Sequence, residues 1–147
     1  MKVLKSVFFV ILFLGVLGFG GFIYLGQSSK NGQALGLSQG QLAPCPSSPN
    51  CVSSEAGTEP EKRVEPLPPG VWDKISATIN DMGGTLTVTG DDYIAAEFTS
   101  ATFGFVDDIE FRRAEDAVHV RSGSRVGYSD AGVNAARVDE LRAKLAN

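Results

Sequence analysis

Histidine and cysteine, the side chains from which most nucleophilic and metal sites are assembled, are nearly absent. The chain of 147 residues holds one histidine, His119, and two cysteines, Cys45 and Cys51. That leaves too few soft ligands for a standard zinc site and excludes a cysteine-rich scaffold. There is no Ser-x-x-Lys pair and no phosphate-binding P-loop. No metal and no cofactor is expected. Proline is missing everywhere except between Pro44 and Pro69, and charge of either sign is missing between Ser6 and Gly26. These two gaps divide the chain.

The uncharged stretch, SVFFVILFLGVLGFGGFIYLG, is 21 residues long. As a helix it spans about 31 Å, the thickness of a bilayer's hydrocarbon core. Lys2 and Lys5 precede it and no charge follows until Lys30. The positive-inside rule then puts the N-terminus in the cytoplasm and the remainder outside, with Tyr24 at the level of an aromatic belt. Residues 1–26 are therefore expected to be a signal-anchor, single-pass in the cytoplasmic membrane, with the domain on the periplasmic or extracellular side. The competing reading is a cleaved signal peptide. Gly26-Gln27-Ser28 is a small-x-small triplet, and cutting after Ser28 would leave a secreted domain.

Beyond Gly26 lie 11 basic and all 17 acidic residues, a formal charge of −6. An acidic domain repels phosphate backbones, so no nucleic acid partner is expected. Residues 27–43 are rich in Gly, Ser, Gln and Asn and read as a flexible tether. Residues 44–147 read as the globular domain, with a Pro-rich lead-in over 44–69. From Pro69 the pattern becomes regular. Val71, Trp72, Ile75, Ile79 and Met82 recur at helical spacing until Gly83-Gly84. Leu86 and Val88 alternate with threonines, then Ile94, Ala96 and Phe98 alternate with polar neighbours after the Gly90-Asp91-Asp92 turn. Phe105–Arg112 and Ala117–Ser124 give two more strands. Val133, Arg137 or Val138, Leu141 and Leu145 give a C-terminal helix that Asp130 or Asn134 can cap. The expected fold is α+β: a four-stranded antiparallel meander with two helices packed on one face, preceded by one transmembrane helix.

Three features can carry chemistry. Cys45 and Cys51, outside the cytoplasm, most simply form a disulfide, contributing about 2.4 kcal/mol on the chain-entropy account. The spacing is not Cys-x-x-Cys, so a staple is favoured over a redox pair. In Phe105-Val-Asp-Asp-Ile-Glu-Phe111, period-2 geometry puts Asp107 on the same face as Ile109 and Phe111, where a carboxylate needs a partner. Asp108 and Glu110 point the other way. The loop Arg121-Ser-Gly-Ser-Arg-Val-Gly-Tyr-Ser-Asp130 concentrates forked donors and hydroxyls ahead of a helix N-terminus. The candidate ligand-binding residues are Arg121, Ser122, Ser124, Arg125, Tyr128, Asp107 and Asp108. The alternative is structural: Arg121 or Arg125 pairs with Asp107 or Asp108 and locks loop to sheet. His119 reads as an exposed sheet residue, with no matched nucleophile.

Three segments together resemble domain-of-unknown-function family 1499: Pro44-Cys-Pro-Ser-Ser-Pro-Asn-Cys-Val-Ser-Ser54, Phe103-Gly-Phe-Val-Asp-Asp-Ile-Glu-Phe111, and Arg121-Ser-Gly-Ser-Arg-Val-Gly-Tyr-Ser-Asp-Ala-Gly-Val-Asn134. The resemblance covers roughly residues 42–145. It implies a family of bacteria and photosynthetic eukaryotes, some of whose members look like chloroplast lumen proteins. It implies a fold and an address and no catalytic role. Ala135-Ala136-Arg137 is less basic than the family's pattern.

The expected function is a membrane-anchored extracytoplasmic domain that binds an envelope protein or a small anionic ligand without catalysis. Two alternatives stand beside it: an enzyme of unknown type acting on an envelope substrate, and a structural or assembly protein.

Overall fold

The computed structural model describes residues 2–146, with side chains from Lys5 onward; the Lys2 side chain, one of the two flanking cations, lies outside them. Helix α1 (Lys2–Ser29) is continuous. Its Lys5–Ser29 part is long and apolar enough to cross a membrane; its most apolar stretch is unburied, whereas Gly26 and Ser29 at its end are buried against the domain.

Residues 27–43 begin as the last turn of α1 and then form a hairpin of β1 (Leu37–Ser38) and β2 (Gln41–Leu42). Gln39 and Gly40 form its two-residue turn, with φ of 53° and 79°. Two left-handed residues are what such a tight hairpin requires. The Pro-rich lead-in contributes β3 (Cys51–Ser53). Helix α2 (Trp72–Asp81) follows and stops at Gly83, whose φ of 82° suits glycine. Then come β4 (Thr85–Thr89), β5 (Tyr93–Thr99), β6 (Val106–Arg113), β7 (Val118–Ser124) and α3 (Val133–Leu145).

The main sheet is antiparallel with five strands in the order β3-β7-β6-β5-β4. The expected four-stranded meander is thus one strand short. Strand β3 pairs with β7 over only Cys51–Ser53, too brief and too hemmed in by proline to show a period of two. Strand β4 carries a bulge between Leu86 and Val88, which leaves Val88 exposed on the outer edge.

Both domain helices pack on one face of this sheet. Trp72, Ile75 and Ile79 from α2 and Val138, Leu141 and Leu145 from α3 meet Ile94, Ala96, Ile109, Phe111, Val118 and Val120 from the strands. Here the period-2 and period-3.6 patterns agree, and each buried side chain contributes roughly 1.5–3 kcal/mol. The opposite face carries Glu97, Asp108, Glu110, Arg112, His119 and Arg121. Residues 30–46 and Glu55 cover it: the Gly36 N–H donates to Glu110 and the Leu42 N–H to Glu55.

Candidate functional site

The covered polar face is built from cross-strand neighbours. On β6, Asp108, Glu110 and Arg112 alternate with Asp107, Ile109 and Phe111, as period-2 geometry demands. Across the ladder, Glu110 stands opposite Arg121, and Asp108 stands opposite Glu97. The first pair is complementary. The second sets two carboxylates side by side, which alone destabilises a sheet. Arg125 resolves it. Its Nε donates to Asp108 Oδ2 at 2.8 Å and its Nη2 to Asp108 Oδ1 at 2.6 Å, while Nη2 also reaches Glu97. Hydrogen bonds to Asp108 lead the causes that hold the Arg125 guanidinium further above its ordinary value, against the opposing effect of burial. Arg125 Nη1 donates to the Ser29 carbonyl at 3.2 Å, a cation at the C-terminus of α1.

Glu110 is fully buried and accepts three donors. They are Arg121 Nη1 at 2.9 Å, the Tyr93 hydroxyl at 2.7 Å and the Gly36 N–H at 2.7 Å. Burial, then Glu110 as acceptor and nearby charge, push the Tyr93 phenol well above its usual range. Glu55 takes a two-pronged hydrogen bond from Arg112, at 2.8 and 3.0 Å, together with the Leu42 N–H. Burial raises the Glu55 carboxyl, but Arg112, Leu42 and the charge of His119 outweigh it, so the net displacement is downward.

Six of the seven predicted residues divide between two faces, and the seventh lies on a loop. Arg121, Arg125 and Asp108 are together on the covered face. Asp107 is on the helix face, as its register requires, and pairs with Arg137 Nη2 at 2.8 Å. Ser122 also faces the helices and donates to Asn134 Oδ1 at 2.6 Å. Ser124 accepts from Asn134 Nδ2 at 3.0 Å. Tyr128 is 77% exposed on the following loop. The N-cap of α3 is Gly132 rather than Asp130 or Asn134; Asp130, two residues ahead of it, accepts from the Gly132 and Asn134 N–H groups, and although burial raises its carboxyl those hydrogen bonds prevail and hold it below the usual range.

Several partners escape sequence reasoning. Glu55, Tyr93, Glu97 and Arg112 give no signal because their neighbours are distant in the chain. Asn134, a candidate cap by its position, is a buried hub that also donates to the Asn50 carbonyl. Gly123 gives no signal of its own within the loop pattern. A side chain there would press on Cys51 Sγ at 3.2 Å and on Arg121 Nη2 at 3.4 Å. Cys45 and Cys51 form a disulfide, with Cα atoms 5.6 Å apart, against this same face.

Two arrangements resemble catalytic sites without their geometry. Gly36-Leu37-Ser38-Gln39-Gly40 has the Gly-x-Ser-x-Gly spacing of a nucleophile elbow. Here, however, the serine sits in a two-stranded hairpin rather than on a strand-to-helix turn. Ser54, His119 and Glu55 also come together. Ser54 Oγ is 3.4 Å and Glu55 Oε2 is 3.6 Å from the same ring nitrogen, Nδ1. A relay needs the nucleophile and the carboxylate on opposite nitrogens.

A cleft of about 490 Å³ opens between residues 32–35, the disulfide loop and the covered face, with Asp108, Arg121, Ser124 and Arg125 in its wall. The Arg121 side chain is 6% exposed, and its Nε is buried with no hydrogen-bond partner among the described residues. Two guanidiniums, Arg121 and Arg125, face three carboxylates, Glu97, Asp108 and Glu110. The excess is negative.

The family model described as "Protein of unknown function (DUF1499)" matches residues 41–145. That span takes in the five-stranded sheet, both domain helices and the disulfide, and leaves out α1 and β1. No curated protein matches the chain.

Proposed function

The chain belongs to the DUF1499 family, a membership that supplies a domain and no activity, and from that premise we propose a membrane-anchored extracytoplasmic domain that binds a small polar ligand without catalysis. The anchor is α1. The extracytoplasmic side is supported by Lys5 ahead of the apolar run and by the Cys45–Cys51 disulfide, since such bonds persist in oxidising compartments.

The observation that carries the binding reading is Arg121. Its guanidinium is buried and spends Nη1 on Glu110, its Nε is buried without an acceptor, and the residue lines the cleft. A buried donor of a charged group left unpaired costs about 1–3 kcal/mol or more. A ligand oxygen entering the cleft offsets that cost. The charge excess narrows the class: with three carboxylates around two guanidiniums, a neutral acceptor such as a carboxamide is favoured over an anion. Catalysis is not favoured, because the only histidine engages serine and glutamate through one nitrogen.

Acetamide and acetate serve as probes on the full chain in nanodiscs, read by amide resonances of Gly123 and Ser124. Acetamide at millimolar concentration is expected to shift them, and Arg121→Lys to abolish the shift. Acetate moving them more than acetamide overturns the charge argument. No shift with either probe overturns ligand binding at this cleft. N-terminal sequencing of the mature protein tests the anchor: a start at Ser29 defeats it.

A further inference from the structure

The turn joining β5 to β6 lies against α1 at a level where α1 is still fully apolar. The Phe103 ring is 5.6 Å from that of Phe19 and 5.3 Å from that of Phe22, and Phe105 is 6.3 Å from Phe22. Gly26 is buried against the Phe103 carbonyl so closely that no Cβ fits there. Ser29 fixes the same junction, since its Oγ accepts the Val106 N–H at 2.9 Å. The helix and the turn therefore hold a defined relative height.

On the anchor reading, that height places Phe103 inside the bilayer's depth. Phe19 precedes Gly26 by seven residues, about 10 Å along a helix axis. If the uncharged run of α1 spans the hydrocarbon core, a ring packed on Phe19 and Phe22 sits below the outer boundary of that core. We infer that residues 100–105 form a second membrane contact, inserting Phe103 and Phe105 into the outer leaflet beside α1. The inference rests on the anchor reading above and goes beyond it: the domain would lie against the lipid in one orientation.

The composition and bonding of the turn suit that position. Ser100-Ala-Thr-Phe-Gly-Phe105 carries no charge. Three of its N–H groups are satisfied within the turn: Ser100 N–H donates to the Phe105 carbonyl, Gly104 N–H to the Ser100 carbonyl and Phe105 N–H to Ser100 Oγ. Backbone entering lipid requires such internal partners. The Lys30 side chain lies beside Gly104, where its ammonium can meet headgroup phosphates. A mainly apolar cleft of about 450 Å³, with Asp107 and Asp130 also in its wall, continues the surface from Phe22 and Leu25 of α1 to Phe105, Val126, Tyr128 and Val133. This gives the exposed Tyr128 a place at the lipid boundary, where tyrosine is enriched.

Tryptophan quenching in vesicles of acyl-brominated phosphatidylcholine tests the inference on the full chain. The native Trp72 is the reference. It packs near Arg113, at the end of β6 remote from Val106, about 24 Å away at strand rise, and is expected to stay unquenched. Phe103→Trp, and separately Thr102→Trp at an exposed position that leaves the ring cluster intact, each add an emission component. Leu17→Trp, within the span, is the positive control. The inference expects both turn tryptophans to be blue-shifted and quenched to the same extent as that control. If Leu17→Trp is quenched and neither turn variant is, the second contact is overturned and the anchor stands. If Leu17→Trp is also unquenched, the anchor reading fails and the inference falls with it.

Discussion

The two faces of the central sheet are held by different physics. The helix face is apolar, and its residues are close-packed between α2, α3 and the strands. The other face is ionic, with every carboxylate of Asp108, Glu110 and Glu55 matched to an arginine and roofed by the chain between α1 and β3. The first face derives its free energy from area removed from water. The second recovers, through paired and hydrogen-bonded charges, what their burial costs, so its net stabilisation is small and its geometry is specific. The cleft with an unpaired donor occurs on the second face, whereas the buried polar pair on the first, Ser122 and Asn134, is hydrogen-bonded.

The largest perturbation of this contrast is expected on the apolar side. Phe111→Ala empties the centre of the core and is expected to cost about 3–5 kcal/mol. Denaturant unfolding of the full chain in mild detergent, followed by Trp72 fluorescence, measures it. Next comes the ionic side. Glu110→Leu leaves Arg121 buried and unpaired, an expected loss of about 3 kcal/mol. Adding Arg121→Met to it is expected to restore most of that stability, a recovery that a second truncation in the apolar core does not give. A double variant as unstable as the single one would mean the pair contributes net free energy and the contrast is misdrawn. Reducing the Cys45–Cys51 disulfide is expected to cost about 2 kcal/mol, with the Arg121 side of the sheet opening first. Hydrogen exchange at Gly123 and Ser122 checks that; uniform loosening on both faces would blur the distinction.

The smallest expected effect is the pH response. Glu55 has a folded-state value below its ordinary one, so it binds its proton more readily when unfolded. Its contribution is fully present above about pH 4.5, the ordinary glutamate value, and is lost as the pH falls through the lower folded value. Asp130, lowered by its hydrogen bonds with Asn134 and Gly132 ahead of α3, acts in the same sense. Unfolding midpoints from pH 6 downward should fall for the native chain and fall less for Glu55→Gln.

The same contrast explains what is legible in the sequence. The helix face can be read from residue spacing: Trp72, Ile75 and Ile79, then Ile94, Ala96 and Phe98, each announce an element and its buried side. Alternation alone places Asp107, which meets Arg137. It places Asp108 and Glu110 on the opposite face, where they are found. The Arg125–Asp108 pair is one of the loop-to-sheet pairings that the sequence offers as its structural alternative, but the other partners, Glu97 on Arg125 and Tyr93 on Glu110, are not legible because they come from another strand. The Gly-x-Ser-x-Gly spacing at 36–40 shows the converse, a pattern whose required turn does not form. Strand β3 is hidden for a third reason: three residues among prolines carry no periodic signal.

The sequence by itself determined the apolar helix, the α+β class, the disulfide pair and the inward side of each long strand. These follow from local period, composition and proximity along the chain. The tertiary structure alone decided the fifth strand, the ionic roofed face, the unpaired Arg121 donor and the seating of the Phe103 turn on α1. Each of these depends on which distant residues become neighbours, and no short-range pattern encodes that.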